Sequence, residues 1–176
     1  MELNIWSKTL LKSYRNLERV VKSIDKSFMN ICLSSRCSSW YDSVINSTMS
    51  ITERLLVLSE RKILLINTKV MINEILQSMD KNLAKILILK YIKKYNNDKL
   101  SKMLNVSIRT INRRIVKAID SFTLKLNRRG YTDERVKVLY GKELWLMDMY
   151  RRTLHDEMSL DARYEKIYKT FKLIEI

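Results

Sequence analysis

The chain has 176 residues, no proline and two glycines, Gly130 and Gly141, alongside abundant Leu, Ile, Lys, Met and Arg. A β-rich protein of this length needs many tight turns, and tight turns draw on glycine and proline; the composition therefore predicts an all-α protein and leaves no material for a glycine-rich phosphate loop. The formal net charge is +15 and is concentrated: residues 81–130 hold 14 Lys/Arg against 2 Asp/Glu (+12), residues 1–80 hold 11 against 8 (+3), and residues 131–176 hold 9 against 9. Such a segment points to a polyanionic partner, most commonly nucleic acid, with a basic solvated face as the plainer reading.

Residues 3–33 predict one long helix. Leu10, Leu17, Ile24 and Ile31 recur every seven residues, with Tyr14, Val21 and Phe28 between them, an apolar stripe at helical spacing. Seven serines in 34–50 mark a linker that Trp40 and Tyr41 would pin down. A second long helix follows over 50–78, with Ile51, Leu58, Leu65, Ile72 and Met79 in heptad register, and Leu55, Ile63, Ile66, Val70 and Leu76 widening the stripe. The two stripes suit an antiparallel helical hairpin; a homodimeric coiled coil is the alternative. Three regions follow: a hairpin or dimerisation region over 1–79, a basic domain over 80–129, and a helical extension over 130–176. The extension predicts two helices, Thr132 to His155 and Ser159 to Leu173.

Within the basic region, Asp80 caps a helix running to Tyr91, and Tyr95-Asn96-Asn97-Asp98 forms a turn. The segment 97–122 then fills, in order, the slots of a helix-turn-helix, two short helices joined by a tight turn. Leu100 and Leu104 are apolar anchors, Ser101 is small where the helices approach, and Asn105 tolerates positive φ. Val106 plugs the turn and Ser107 caps the second helix. Ile111, Ile115, Ala118, Ile119 and Phe122 form that helix's buried stripe. Its other face carries Arg109, Asn112, Arg113, Val116 and Lys117, flanked by Thr110 and Arg114. Arginine pairs with guanine and asparagine with adenine in a major groove. Lys99, Lys102, Thr110, Arg114 and Lys117 are placed to hold phosphates. A helical hairpin with a basic face is the alternative at this point.

The stretch 83–119, LAKILILKYIKKYNNDKLSKMLNVSIRTINRRIVKAI, resembles region 4 of sigma-70-type factors. An apolar helix ending in an aromatic (Leu83 to Tyr91) precedes a short helix, then Asn105-Val106-Ser107 at the family's Gly-Val-Ser turn, then Ala118 eleven residues on. It departs from the family at Met79-Asp80, where Leu-Pro is usual, at Asp98-Lys99, where Glu-Glu is usual, and at Arg113, where glutamine is common. The resemblance implies recognition of a −35-like promoter element by Ile108, Arg109, Asn112 and Arg113, and docking on RNA polymerase. No sigma region 2 is recognisable. Over roughly residues 5–122 the order of elements, with Asp42-Ser43-Val44 in the middle, is similar to phage late-transcription activators of the RinA and ArpU type.

Enzyme signatures are lacking: His155 stands alone, and Asp133-Glu134 suits a helix start. One Cys32/Cys37 pair does not make a metal site, so no cofactor is expected, and both thiols are read as reduced in a cytoplasmic protein. No signal-peptide core or apolar run of about 18 residues predicts membrane insertion. The sequence thus predicts a promoter-binding transcription regulator taking double-stranded DNA, with RNA polymerase and a second copy as further partners. The rivals are a helical protein-interaction module and a non-specific nucleic-acid binder.

Overall fold

A computed structural model describes residues 2–34 and 41–172, with side chains over 3–33 and 48–159. Among them the chain is all α-helical, as its composition predicts: α1 Glu2–Ser34, α2 Tyr41–Ser78, α3 Lys81–Leu87, a π-helical turn Ile88–Ile92, α4 Asn97–Leu104, α5 Ile108–Arg128, α6 Asp133–Tyr140 and α7 Leu144–Lys172. Among the described residues no helix is long and apolar enough to cross a membrane. Trp40 and Cys37, expected to anchor and to serve as a thiol, lie outside the described residues.

The chain forms two compact units. One, Tyr14–Leu76, is the expected antiparallel hairpin. Tyr14 Oη donates to Asn73 Oδ1 (2.7 Å), Lys69 pairs with Glu18 (3.1 Å) and Lys62 with Asp25 (2.5 Å), so partners descend along α2 as they ascend along α1. Leu17, Ile24 and Ile31 of the heptad are buried, as are Leu65 and Ile72 opposite. Two expectations change here. The second helix starts at Tyr41, so the serine-rich 41–50 is helical and not linker. Ile63, Ile66 and Val70 are exposed (58%, 41% and 47%) and do not widen the buried stripe. With Met49 and Leu56 they leave an apolar line on α2. A helix apolar on several sides has no single periodicity from which its buried face can be read.

The other unit joins residues up to Ser13 to those from Gln77 onward. The three-region division expected at 79/80 and 129/130 is therefore not how the compact units fall. The first turns of α1 dock on helices more than a hundred residues away. Trp6 is fully buried and stacks on Tyr150 at 4.2 Å, with Tyr140 at 6.3 Å. Thr123 Oγ1 donates to Ser7 Oγ (2.7 Å), Asn4 bonds Asp120 (3.1 Å), and Lys8 pairs with Glu157 (2.5 Å). Phe122, Leu126, Val136 and Leu146 complete this core.

The extension breaks at 141–143, not at 156–158 as its sequence suggests. A Cβ on Gly141 would lie 2.9 Å from the Lys137 carbonyl oxygen, closer than side-chain-bearing residues permit. Glu143 is buried; its carbonyl accepts from Leu146 and Met147, opening α7, and its carboxylate accepts the Trp145 indole N–H (2.7 Å).

Tyr91, in the π-helical turn, has its phenol pushed up to about 12, first by burial and then by the Glu157 charge. An unfolded tyrosine ionises near 10, so this group's contribution is fully present below pH 10 and lost as pH rises towards 12. Tyr91→Phe is therefore expected to unfold less steeply than wild type across pH 10–12, measured by denaturant midpoints at each pH.

Candidate nucleic-acid interface

The turn between α4 and α5 is held by local stereochemistry. Asn105 sits in the left-handed region (φ 51, ψ 47), a conformation asparagine tolerates better than other side-chain-bearing residues. The Ser101 carbonyl accepts from both Asn105 and Val106 N–H, while the Ser101 hydroxyl donates back to the Val106 carbonyl (2.5 Å). A larger side chain at 101 would lose that clamp. Ser107 caps α5, its Oγ accepting from Thr110 N–H (3.2 Å). Below the turn, Leu89, Leu100 and Ile111 form a buried cluster with Tyr95, Leu104, Val106 and Ile115 packed around it. Ala118, Ile119 and Phe122 continue the buried stripe of α5.

Ser107→Ala is expected to lower stability by about 1 kcal/mol, the usual cost of a lost cap, while Asn105→Gly is tolerated and Asn105→Ala is destabilising, since only glycine adopts positive φ freely. Thermal denaturation of the three variants checks the order.

With the buried face so fixed, α5 turns Ile108 (46% exposed), Arg109, Asn112 and Arg113 outward, together with Arg114, Val116 and Lys117. They divide into groups that the sequence does not separate. Arg113, Arg114 and Lys117 line a cleft of about 600 Å³ with Asn82, Leu83 and Ile86 of α3. No carboxylate lines it, and among the described residues none of the three cations has an ion-pair partner. Asn112 belongs elsewhere: its Oδ1 accepts from Asn97 Nδ2 (2.7 Å), and Asn97 Oδ1 accepts from Lys90 Nζ (2.5 Å). Burial holds the Lys90 ammonium below its ordinary pKa, and the nearby Lys12 adds to this. Ile108 and Arg109 open the helix.

Of the residues expected to meet phosphates, Lys102 is exposed on α4, and Arg114 and Lys117 lie in the cleft. Lys99 is also exposed, with its ammonium 3.9 Å from the centre of the Tyr95 ring, a cation–π contact. The Thr110 hydroxyl lies 2.9 Å from Ser107 Oγ, within the cap. Asn82, Lys90 and Asn97 were not singled out from sequence as part of this surface. A lysine inside the apolar run LAKILILKY was the available signal for Lys90, because a half-buried ammonium requires an oxygen nearby.

The chain matches no protein-family model, no curated protein and no solved structure. The reading of this surface therefore stands on its residues.

Its chemistry is that of a face with donors only at Arg109, Arg113, Arg114 and Lys117 and one carboxamide at Asn112. Such groups pair with phosphate oxygens and with the acceptor atoms of base edges.

Proposed function

We propose that this protein is a sequence-specific, double-stranded DNA-binding transcription regulator that inserts the first turns of α5 into a major groove. The observation that carries the reading is a capped helix whose apolar side is fully committed to a core and whose outer side presents Arg109, Asn112, Arg113, Arg114 and Lys117, with no ion pairs among the described residues. An anion is the complement that such a face lacks, and a helix is the shape that a major groove admits. Arg109, Asn112 and Arg113, with Ile108 for apolar contact, are the base readers; Lys99, Lys102, Thr110, Arg114 and Lys117 border the phosphates. The likeness of 83–119 to sigma region 4 supports a promoter as the target and RNA polymerase as a partner, in a cytoplasmic protein that is a regulator and not an enzyme.

Selection of bound duplexes from a random pool by the full chain tests this. A recovered consensus is the expected result, and a palindromic one would report a homodimer. Arg113→Ala should abolish preference at one base pair, worth about 1–3 kcal/mol, with a small loss of total affinity. Uniform binding to every duplex would leave non-specific nucleic-acid binding, and no binding at low salt would leave a protein-interaction module.

A further inference from the structure

Lysine is a donor with no acceptor atom, whereas a carboxamide has one face of each kind. The Lys90 ammonium therefore determines which way the Asn97 carboxamide must lie: its oxygen faces Lys90, as the 2.5 Å contact has it. Its nitrogen is then left for Asn112, and a donor there requires an oxygen in return. That oxygen is Asn112 Oδ1, at 2.7 Å. The order of donors and acceptors along Lys90, Asn97 and Asn112 is thus forced by the single group that cannot reverse its role. The oxygen and nitrogen of a carboxamide diverge from its trigonal carbon, so with its oxygen on Asn97 the Asn112 amino group lies beside that contact and not in it. Neither hydrogen of that group is taken up within the chain of three. A cation at the head of such a chain also polarises it, strengthening the terminal donor.

We propose that Lys90 and Asn97 are positioning residues that fix Asn112 as a hydrogen-bond donor, making it a reader of the acceptor edge of guanine. The inference rests on the DNA-binding reading of α5. Guanine presents two acceptors, N7 and O6, in the major groove, and the free amino group meets them without using its oxygen. Adenine pairs with a carboxamide through oxygen and nitrogen together. Here one of the two lone pairs of that oxygen is held by Asn97, so adenine would have to share the oxygen, whereas guanine draws on the amino group alone. Guanine thus replaces the adenine partner that residue type alone suggests for Asn112.

The test is duplex selection by the full-length protein and three variants, with thermal midpoints confirming that each is folded. Asn112→Ala identifies the base pair that Asn112 governs; wild type is expected to prefer guanine there by about tenfold, the discrimination a good polar contact supplies, and to lose that preference when 7-deazaguanine is substituted. Asn97→Asp keeps an oxygen for Lys90 but offers Asn112 only oxygen. Asn112 must then reverse, and the preference should move to adenine or cytosine, whose N6 and N4 amino groups donate. Lys90→Met frees Asn97 to lie either way and should relax the preference at that position alone. A consensus in which Asn112→Ala changes no position, or whose Asn112-dependent position is the same in Asn97→Asp and Lys90→Met, overturns the relay and leaves the function standing. An adenine at that position in wild type also overturns it. Absence of any consensus removes the functional reading and the relay together.

Discussion

The variant Arg113→Ala/Arg114→Ala/Lys117→Ala is expected to flatten the salt dependence of DNA binding while leaving the fold intact. Each phosphate neutralised on B-DNA contributes about 0.9 to the slope of log K against log salt concentration. With Arg114 and Lys117 on phosphates and Arg113 on a base, the slope falls by about 1.8, so that between 50 and 200 mM salt the variant loses roughly 12-fold less affinity than wild type. A decrease of about 2.7 would mean that Arg113 meets a phosphate as well. The local field and not total charge is what matters, because released counterions come from the phosphates actually contacted. Arg15→Ala/Arg19→Ala/Lys26→Ala removes the same three charges from exposed positions on α1 within the hairpin unit and is expected to leave the slope nearly unchanged. Stability should not fall in the cleft variant. Arg113 with Lys117, and Arg114 with Lys117, are like charges four and three residues apart on a helix, an arrangement that is mildly destabilising. Binding isotherms across a salt series, with thermal denaturation alongside, measure both effects.

The parts of this surface that were legible in the sequence are those set by one or two residues at a time. A left-handed turn needs a residue such as Asn105, and a helix start needs an acceptor such as Ser107; both occupy those roles. The heptads of α1 were legible because Leu17, Ile24 and Ile31 repeat on one buried line while Arg15, Arg19, Lys22 and Lys26 lie exposed off it. The missed features depend on distance or on competing patterns. Nothing near Trp6 reports that it will stack on Tyr150, and nothing near Asp120 reports Asn4. The split between α6 and α7 falls at a glycine whose added Cβ would stand 2.9 Å from a carbonyl, while Lys142-Glu143 has ordinary helical propensity. The π-helical turn at Ile88–Ile92 interrupts an apolar run that reads as continuous helix, and such turns often mark functional positions. This one carries Lys90, and the orientation of Asn112 follows from that lysine through two side-chain contacts that no periodicity encodes.

The division of the chain has its own decisive variant, Trp6→Ala. Truncating a fully buried tryptophan costs about 3–5 kcal/mol, a large share of the roughly 5–15 kcal/mol that holds a domain folded. Where the loss is felt is the informative part. Residues 80–129 read from sequence as a domain of their own, and on that division a change at residue 6 would spare α5. The Ser7–Thr123 and Asn4–Asp120 contacts tie the first turns of α1 to α5, and Lys8–Glu157 ties them to α7. Trp6→Ala is therefore expected to speed amide hydrogen exchange at Ile111, Ala118 and Phe122 by the same free energy as it lowers global stability, and to weaken DNA binding near the new thermal midpoint. Trp6→Phe should lose much less: it keeps a ring against Tyr150, and it removes an indole N–H that is buried without a hydrogen-bond partner among the described residues, a donor whose burial is itself unfavourable. Unchanged protection in α5 of Trp6→Ala would mean that the basic helices fold without the N-terminal turn. Loss of protection throughout would mean that the DNA-reading helix is stabilised from the opposite end of the sequence.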